Sequence, residues 1–319
     1  GVPWEPSASV RPMSAAEFEV WDVTEWEVYS DETEGQEEKW WLIDPSTSDL
    51  WLFKPPVTKN GVRQGEDWAE RASTELADLI RVPCAQVQLG IRDGRRGSMS
   101  RDLKPPGWEL QSGQLLLVAG DPSYQTKRKG RPGHSLRRIR EVLLGVDPPH
   151  SSAIPSEFDA FDVFAGYMVL DAWIANRDRH DDNWAILLPP PDSTENYRLS
   201  DSYDQSSSLG YNVRDSECTA RLSQDDGVQR WAQKGTAWRF EHDPALGPST
   251  LVEHAMAALG MCQPAVGEYW LDNLRSVSHD TATDVLRRVP ELSEPCRRFA
   301  SEVLRINRER LLGHADRHF

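Results

Sequence analysis

The chain carries one polar run, Asn176-Arg177-Asp178-Arg179-His180-Asp181-Asp182-Asn183, between two apolar patterns. Before it, apolar residues recur three or four positions apart from residue 158 to residue 174, which is the period of a helix. After it, the short apolar stretch at residues 184–188 predicts a strand. The run therefore occupies a loop between a helix and a strand, and such loops commonly present functional side chains.

The polar residues of this loop are of the types that phosphoryl transfer requires. That reaction needs a cation on the nucleotide phosphates, a carboxylate that orients the attacking hydroxyl, and oxygen ligands for Mg²⁺. Asp178 and Asn183 are five positions apart, as are the same residue types in the motif H-R-D-x-x-x-x-N. A further carboxylate, Asp204, follows Tyr203 after the next strand pattern. This set of residues indicates an ATP-dependent phosphotransferase.

The segment from Asp178 to Asn183, together with Tyr203-Asp204, resembles the HipA family of serine/threonine kinases. Those enzymes show a D-x-H-x-x-N segment and a later Y-D, and the Asp-Arg-His-x-x-Asn form is also similar to the phosphoinositide kinases. The resemblance implies an α+β, two-lobed protein-kinase-like fold with ATP and Mg²⁺ bound between the lobes. It implies that Asp178 is the catalytic base and that Asn183 and Asp204 bind Mg²⁺. His180 would support the loop or approach the phosphates.

The first third of the chain resembles the small lobe of the same family. Phe53-Lys54-Pro55 is similar to the strand that carries the ATP lysine, which makes Lys54 the candidate. Residues 35–39 are similar to the loop that covers the phosphates, with Gly35 as its glycine. The helix that follows implies a glutamate partner for the lysine, and we expect Glu70, with Glu75 as the alternative. The resemblance extends from about residue 34 to residue 211.

The phosphate-covering segment departs from the expected pattern. It has one glycine and five carboxylates between residues 31 and 38, and negative charge is unfavourable beside nucleotide phosphates. The motifs D-F-G and A-P-E are missing from the sequence, which disfavours an ordinary eukaryotic protein kinase. The P-loop signature G-x-x-x-x-G-K-[ST] is missing as well, which argues against a P-loop enzyme.

The other patterns predict a strand-rich N-terminal lobe, residues 1–104, and a mainly helical C-terminal lobe, residues 105–319. Two apolar runs around a short turn, residues 39–44 and 50–54, predict an antiparallel hairpin. A helical period covers residues 66–81, and Ser156 is expected to cap the helix before the polar run. The segment from residue 103 to residue 134 has no counterpart in the family that the chain resembles, and no element is predicted there. Four helices are predicted near the C-terminus, at residues 250–259, 267–276, 281–289 and 292–312.

The composition restricts the partners of the chain. It has 51 acidic and 36 basic side chains, a net charge of −15, which repels nucleic-acid backbones and anionic membranes. We therefore expect no direct nucleic-acid binding, and we expect no membrane span because no stretch approaches 18 consecutive apolar residues. The four cysteines follow no metal-binding spacing and predict reduced thiols in a cytoplasmic protein. The basic run at residues 127–140 predicts either a solvated flexible loop, which we favour, or a docking site for an acidic or phosphorylated partner.

These features together predict an ATP- and Mg²⁺-dependent kinase that phosphorylates serine or threonine in a protein substrate. The resemblance further implies a bacterial toxin or stress or defence effector. Autophosphorylation at Ser30 or at residues 206–208 is expected from position alone. Two alternatives stay open: a lipid or small-molecule kinase, favoured by the Asp-Arg-His-x-x-Asn form and the basic run, and a nucleotide-binding pseudokinase scaffold, favoured by the acidic segment. For Asp181 and Asp182 we expect only a solvated helix terminus.

Overall fold

The computed structural model describes residues 16–32, 38–151 and 153–318. A strand-rich lobe precedes a mainly helical one, which is the α+β arrangement expected. The strands are β1 (Val20–Asp22), β2 (Glu27–Glu32), β3 (Lys39–Ile43), β4 (Leu50–Lys54), β5 (Thr58–Lys59), β6 (Val62–Arg63), β7 (Val87–Arg92), β8 (Arg95–Arg101), β9 (Glu109–Ser112), β10 (Ala185–Leu188) and β11 (Arg198–Leu199). The helices are α1 (Glu66–Leu79), α2 (Gly113–Gly120), α3 (Leu136–Val142), α4 (Ala160–Ile174), α5 (Asp215–Ser223), α6 (Gly227–Gln233), α7 (Leu251–Gly260), α8 (Pro264–Ser276), α9 (His279–Arg287) and α10 (Glu294–His318).

Six strands of the first lobe form one sheet in the order β1-β7-β8-β4-β3-β2, with only β1 and β7 parallel. The predicted hairpin is confirmed, since β3 and β4 pair antiparallel with Leu42 opposite Trp51. Successive side chains of a strand point to opposite faces. Trp51 and Phe53 of β4 therefore enter a core with Leu42 and Met99, while Lys54 lies at the strand end on the other face.

Helix α1 packs against β7 and β8 of this sheet. It begins at Glu66 as predicted and ends at Leu79, two residues before the predicted end. Arg81 takes a left-handed backbone conformation, φ 62°, which a helix cannot continue through. Leu76 on the inner face of the helix is fully buried, and Glu70 on the same helix is buried as well. The helix therefore carries a carboxyl group into the interior.

Helix α4 is the central helix of the second lobe and packs against α7, α8 and α10. Nearly all its side chains are buried. This explains why the apolar residues of α4 occupy all sides of the helix and are not restricted to one stripe. The prediction that Ser156 caps it is wrong. Asp159 is the cap and accepts a hydrogen bond from the Asp162 backbone N–H at 2.8 Å, with Asp162 returning the contact. The preceding residues form a separate turn, in which the Phe158 N–H donates to the Pro155 carbonyl.

The four predicted C-terminal helices are present as α7 to α10, with shifts of a few residues at their ends. The sequence patterns miss α2, α3, α5 and α6. These helices have seven to nine residues, too few to establish a helical period. Strand β9 and helix α2 occupy part of the segment that the sequence left unassigned.

Strand β10 pairs with β9 on one side and β11 on the other, in a small antiparallel sheet. It follows the polar run directly, and β11 leads to residues 200–204. Both loops with candidate functional residues are thus attached to one small sheet.

The lobe boundary after residue 104 stays a prediction. Among the described residues, none of the helices has the length and apolar character needed to cross a membrane.

Candidate active site

Helix α4 ends at a residue with a left-handed backbone conformation, and the polar run begins directly after it. Ala175 has φ 57°, an uncommon conformation for a side chain larger than glycine. The turn is stabilised by Asn176, whose backbone N–H and side-chain amide donate to the carbonyl and carboxylate of Asp171, both at 2.9 Å. Because Asp171 is itself buried in α4, the beginning of the loop is anchored to the rigid core of the lobe.

Arg179 organises the rest of the loop from the protein interior. Only 1% of the residue is exposed, and its guanidinium donates twice to the Asp171 carboxylate, at 2.8 and 2.9 Å. It also donates to the carbonyl of Asn183 at 2.8 Å, to the carbonyl of Tyr203 at 3.2 Å and to the Ser202 hydroxyl at 2.9 Å. One side chain therefore ties the loop at residues 176–183 to the loop that carries Asp204.

Sequence reasoning missed this role of Arg179 and Asp171. A signal was present, since Asp171 is a carboxylate within an otherwise apolar helix, and buried carboxylates require a partner. The paired arginine could not be identified from spacing, because Arg177 and Arg179 both lie in the following loop.

The predicted catalytic and metal-binding residues come together in space. Lys54, Asp178, His180 and Asp204 all line one cleft of about 1190 Å³ between the lobes. Asn183, the last residue of the loop, is buried and does not line this cleft; its side-chain amide donates to the Asp178 carbonyl at 2.7 Å. Since the amide nitrogen is used in this way, its oxygen is the atom left for a cation. Gly35, the candidate in the phosphate-covering loop, lies outside the described residues.

Asp204 is the carboxylate best suited to a hard cation. Its oxygen Oδ2 lies 3.6 Å from Lys54 Nζ, and its Oδ1 accepts from the Ser206 hydroxyl at 2.7 Å. Burial opposes ionisation, but Lys54, the hydrogen bond from Ser206 and the nearby His180 outweigh it and lower the pKa of Asp204. Asp204 also takes a left-handed conformation, φ 56°. An ionised carboxylate and an amide oxygen are ligand types that Mg²⁺ accepts, so the residues present fit that ion.

Among the described residues Lys54 forms an ion pair with Asp204, and no ion pair joins it to the expected partner Glu70. Glu70 is close enough for Lys54 to act on its pKa, but burial and Asp204 dominate and raise that pKa to about 8. The Gln205 amide nitrogen, in the orientation that satisfies its neighbours, lies 3.2 Å from Glu70 Oε1. The alternative, Glu75, pairs instead with Arg71 and Arg288 at 2.8 and 3.7 Å.

The protonated state of Glu70 predicts a pH-dependent stability. Its pKa rises from an ordinary 4.5 to about 8 on folding, so between these values the folded protein holds a proton that the unfolded chain releases. The free energy of unfolding should therefore fall as the pH rises from 4.5 to 8. We expect Glu70→Gln to weaken this decline and to raise Tm at pH 8 by about 2–4 °C. Thermal melting from pH 5 to pH 8.5 measures this pH dependence in wild type and in Glu70→Gln. Glu75→Gln, at the partly exposed position, is the control, and an equal pH slope in wild type and Glu70→Gln would contradict the assignment.

His180 and Asp178 lie side by side at the cleft surface. The Asp182 backbone N–H donates to His180 Nδ1 at 3.2 Å, so the proton of the neutral ring is on Nε2. That nitrogen lies 4.0 Å from Asp178 Oδ2. The expectation that His180 supports the loop or approaches the phosphates stays a prediction.

The structure corrects the expectation that Asp181 belongs to a solvated helix terminus. Asp181 is buried, and it accepts hydrogen bonds from the Tyr124 hydroxyl at 2.6 Å and from the Thr126 hydroxyl at 3.1 Å. Its carboxylate therefore fastens the segment after α2 to the loop. Asp182 is exposed, as expected.

A second arginine that the sequence did not indicate forms an ion pair with Asp178, the candidate base. Arg239 donates to Asp178 Oδ1 from Nε at 2.9 Å and from an Nη atom at 2.7 Å. The two residues are 61 positions apart, so no local pattern could reveal the pair. Asp178 is consequently held in place by a guanidinium in this state.

The strand-rich and helical lobes, with a lysine from the sheet and two carboxylates from the second lobe at one cleft, define a kinase-like fold. Among solved structures, the chain is similar to the Helicobacter pylori proinflammatory kinase CtkA, with 16% identity and a TM-score of 0.68 over 92% of this chain and 99% of that chain. It is also similar to HipA of the Shewanella oneidensis MR-1 toxin–antitoxin complex of HipA, HipB and operator DNA. That match has 14% identity and a TM-score of 0.57, over 93% of this chain and 69% of that one.

These likenesses confirm the two-lobed kinase-like fold, and they confirm the resemblance to HipA at the level of the fold. No family model and no curated protein matches the sequence.

Proposed function

We propose that this protein is an ATP- and Mg²⁺-dependent kinase that phosphorylates serine or threonine side chains of a protein. The observation that supports it most is the convergence of Lys54, Asp178 and Asp204 on one cleft. The three residues come from separate parts of the chain, and a cation, a base and a metal-binding carboxylate are the groups that phosphoryl transfer uses. The kinase-like fold supports the same assignment.

Each residue then has a chemical task. Asp204 and the amide oxygen of Asn183 would hold Mg²⁺, which when bound neutralises phosphate charge and orients the group to be transferred. Lys54 would exchange its contact with Asp204 for the nucleotide phosphates. Asp178 would orient the acceptor hydroxyl. As the hydroxyl oxygen bonds to the γ-phosphorus, the bond from that phosphorus to the bridging oxygen breaks, ADP leaves, and the hydroxyl proton passes to Asp178.

The test of this proposal is phosphate transfer from γ-labelled ATP by the full chain, with protein acceptors and lipid vesicles assayed in parallel. We expect Asp204→Asn to lower transfer at least about 100-fold, because charge stabilisation by a bound metal ion contributes several kcal/mol to such reactions. Asp272→Asn, an exposed aspartate on α8 that pairs with Arg275, is the matched control and should retain activity. Labelling of lipid but not of protein would contradict the protein kinase proposal and identify a lipid kinase.

A pseudokinase scaffold is a second candidate, and the pairing of Arg239 with Asp178 favours it, because a base held by a guanidinium cannot also orient a hydroxyl through the same oxygen. Binding of ATP without transfer to any acceptor, unchanged in Asp204→Asn, would establish that alternative.

HipA is described as part of a toxin–antitoxin system, and a growth-arresting role is the corresponding proposal here. Growth of bacteria that express wild type or Asp204→Asn tests it, and equal growth would oppose it.

A further inference from the structure

Two arginines from distant parts of the chain meet over one indole ring beside the candidate base. The Cζ atom of Arg239 lies 3.9 Å from the centre of the Trp238 ring, and that of Arg131 lies 5.3 Å from it. Contacts of this kind between guanidinium groups and aromatic faces are attractive. We call Arg131 and Arg239 the guanidinium pair. Since Arg239 also contacts Asp178, the pair is adjacent to the place where an acceptor hydroxyl would be activated.

The backbone holds the guanidinium pair in position. The His242 N–H donates to the Gly130 carbonyl at 2.9 Å, and the Glu241 N–H donates to the His134 carbonyl at 2.7 Å. Gly130 has φ +76°, and a side chain there would lie 2.7 Å from the His242 carbonyl oxygen, so only glycine fits. Within the basic run 127–140, residues 130–134 are therefore not the flexible loop that we favoured from the sequence but a segment paired with residues 241–242, and residues 136–140 belong to α3.

His134 adds a second link that fixes Arg239. The Trp184 indole can only donate, so its 3.1 Å contact makes His134 Nε2 an acceptor. The proton is therefore on Nδ1, which donates to the Arg239 carbonyl at 2.7 Å. Burial lowers the pKa of His134 to about 4, which keeps this neutral form. The backbone of Arg239 is thus anchored, while its side chain points to Asp178.

The charges of the guanidinium pair are only partly compensated. Arg239 is paired with Asp178, but Arg131 has no ion pair or hydrogen bond from its side chain to any described residue. The Asp181 carboxylate attracts Arg131 but forms no ion pair with it, since its oxygens accept hydrogen bonds from two hydroxyl groups. On a chain of net charge −15, like charges gathered next to a candidate base favour an anionic ligand.

We infer that the guanidinium pair binds an acidic or phosphorylated side chain of the protein acceptor, next to the hydroxyl to be phosphorylated. This inference rests on the proposed kinase function and names the class of its substrate. Carboxylates and phosphates match the two parallel donors of a guanidinium. An anionic group of the acceptor competes with Asp178 for Arg239, so the correct substrate both docks at the pair and releases the base. Acceptors without that group leave Asp178 occupied.

The experiment compares single-serine peptides that differ only at the flanking positions, which carry alanine, glutamate, phosphoserine or lysine. For wild type we expect kcat/KM to be at least about tenfold higher with glutamate or phosphoserine than with alanine, because hydrogen bonds between two charged groups are stronger than those between neutral groups. Arg131→Gln should bring this ratio towards one, and Arg131→Glu should favour the lysine peptide. Arg298→Gln, an exposed arginine on α10, is the control and should keep the wild-type ratio.

The outcomes separate the inference from the function on which it rests. Transfer with equal kcat/KM for all peptides, or an acidic preference that persists in Arg131→Gln, would overturn the inference and leave the kinase function intact. The absence of transfer to every peptide and to the protein itself by wild type would overturn both. A preference for phosphoserine alone or for glutamate alone supports the inference and identifies the source of the anion. Thermal melting of each variant verifies that it is folded.

Discussion

Replacement of Asp178 by asparagine is expected to lower phosphate transfer by about 10²–10⁴-fold, the usual contribution of a positioned general base. Asparagine has the same shape and can still accept a hydrogen bond from Arg239, which now reaches Asp178 at 2.7–2.9 Å. It cannot accept the proton of the hydroxyl. The effect should therefore fall on kcat, while ATP affinity and Tm stay close to those of wild type. Single-turnover transfer from γ-labelled ATP and calorimetric ATP binding measure the two quantities.

The matched control for this variant is Asp182→Asn, because Asp182 belongs to the same loop and is exposed. It should transfer phosphate within about threefold of the wild-type rate, as expected of a residue with no contact to the reacting atoms. Transfer by Asp178→Asn at the wild-type rate would remove Asp178 from the mechanism. The pseudokinase alternative would gain support only if wild type itself bound ATP and transferred phosphate to no acceptor.

Replacement of Arg179 by methionine is expected to lower the free energy of unfolding by about 3–5 kcal/mol, the usual effect of removing one partner of a buried ion pair. The carboxylate of Asp171, 2% exposed, would be left without its two guanidinium hydrogen bonds. The carbonyl groups of Asn183 and Tyr203 would lose their donor as well. Urea unfolding measures the change, and phosphate transfer should fall too, because the loops of Asp178 and Asp204 lose their common anchor.

Two further variants test whether the loss of stability comes from the buried ion pair or from any substitution in this loop. Arg177→Met changes the exposed neighbouring arginine and should alter stability by less than about 0.5 kcal/mol, as usual for surface positions. The double variant Asp171→Leu, Arg179→Met removes both buried charges and should recover part of the lost stability. Equal losses in Arg177→Met and Arg179→Met would contradict the role given to Arg179.

The candidate site shows how far sequence reasoning could reach. Asp178, Asn183 and Asp204 were identified because their loop types and spacings are local properties, and the structure brings Asp178 and Asp204 to one cleft. Lys54 was placed correctly at the end of a strand in a hairpin, for the same reason. Their roles in binding ATP and Mg²⁺ stay predictions.

The contacts that sequence reasoning missed join distant positions. Arg239 reaches Asp178 from 61 residues away, and Arg131 meets Trp238 across more than 100 residues. Glu70 was expected to pair with Lys54, yet burial and the proximity of Asp204 raise its pKa to about 8. Which carboxylate the lysine approaches depends on the relative positions of β4, α1 and the Asp204 loop, and no spacing in the chain encodes these.

The sequence by itself determined the class of fold, the hairpin with Lys54, the helix before residue 176 and the polar run that follows it. These depend on apolar periodicity and on residue types a few positions apart, which local sequence records directly. Only the tertiary structure decided that Arg179 joins two loops, that Arg239 holds Asp178 and that part of the basic run pairs with residues 241–242. The physical reason is that burial and long-range charge pairing act between segments that packing alone makes neighbours.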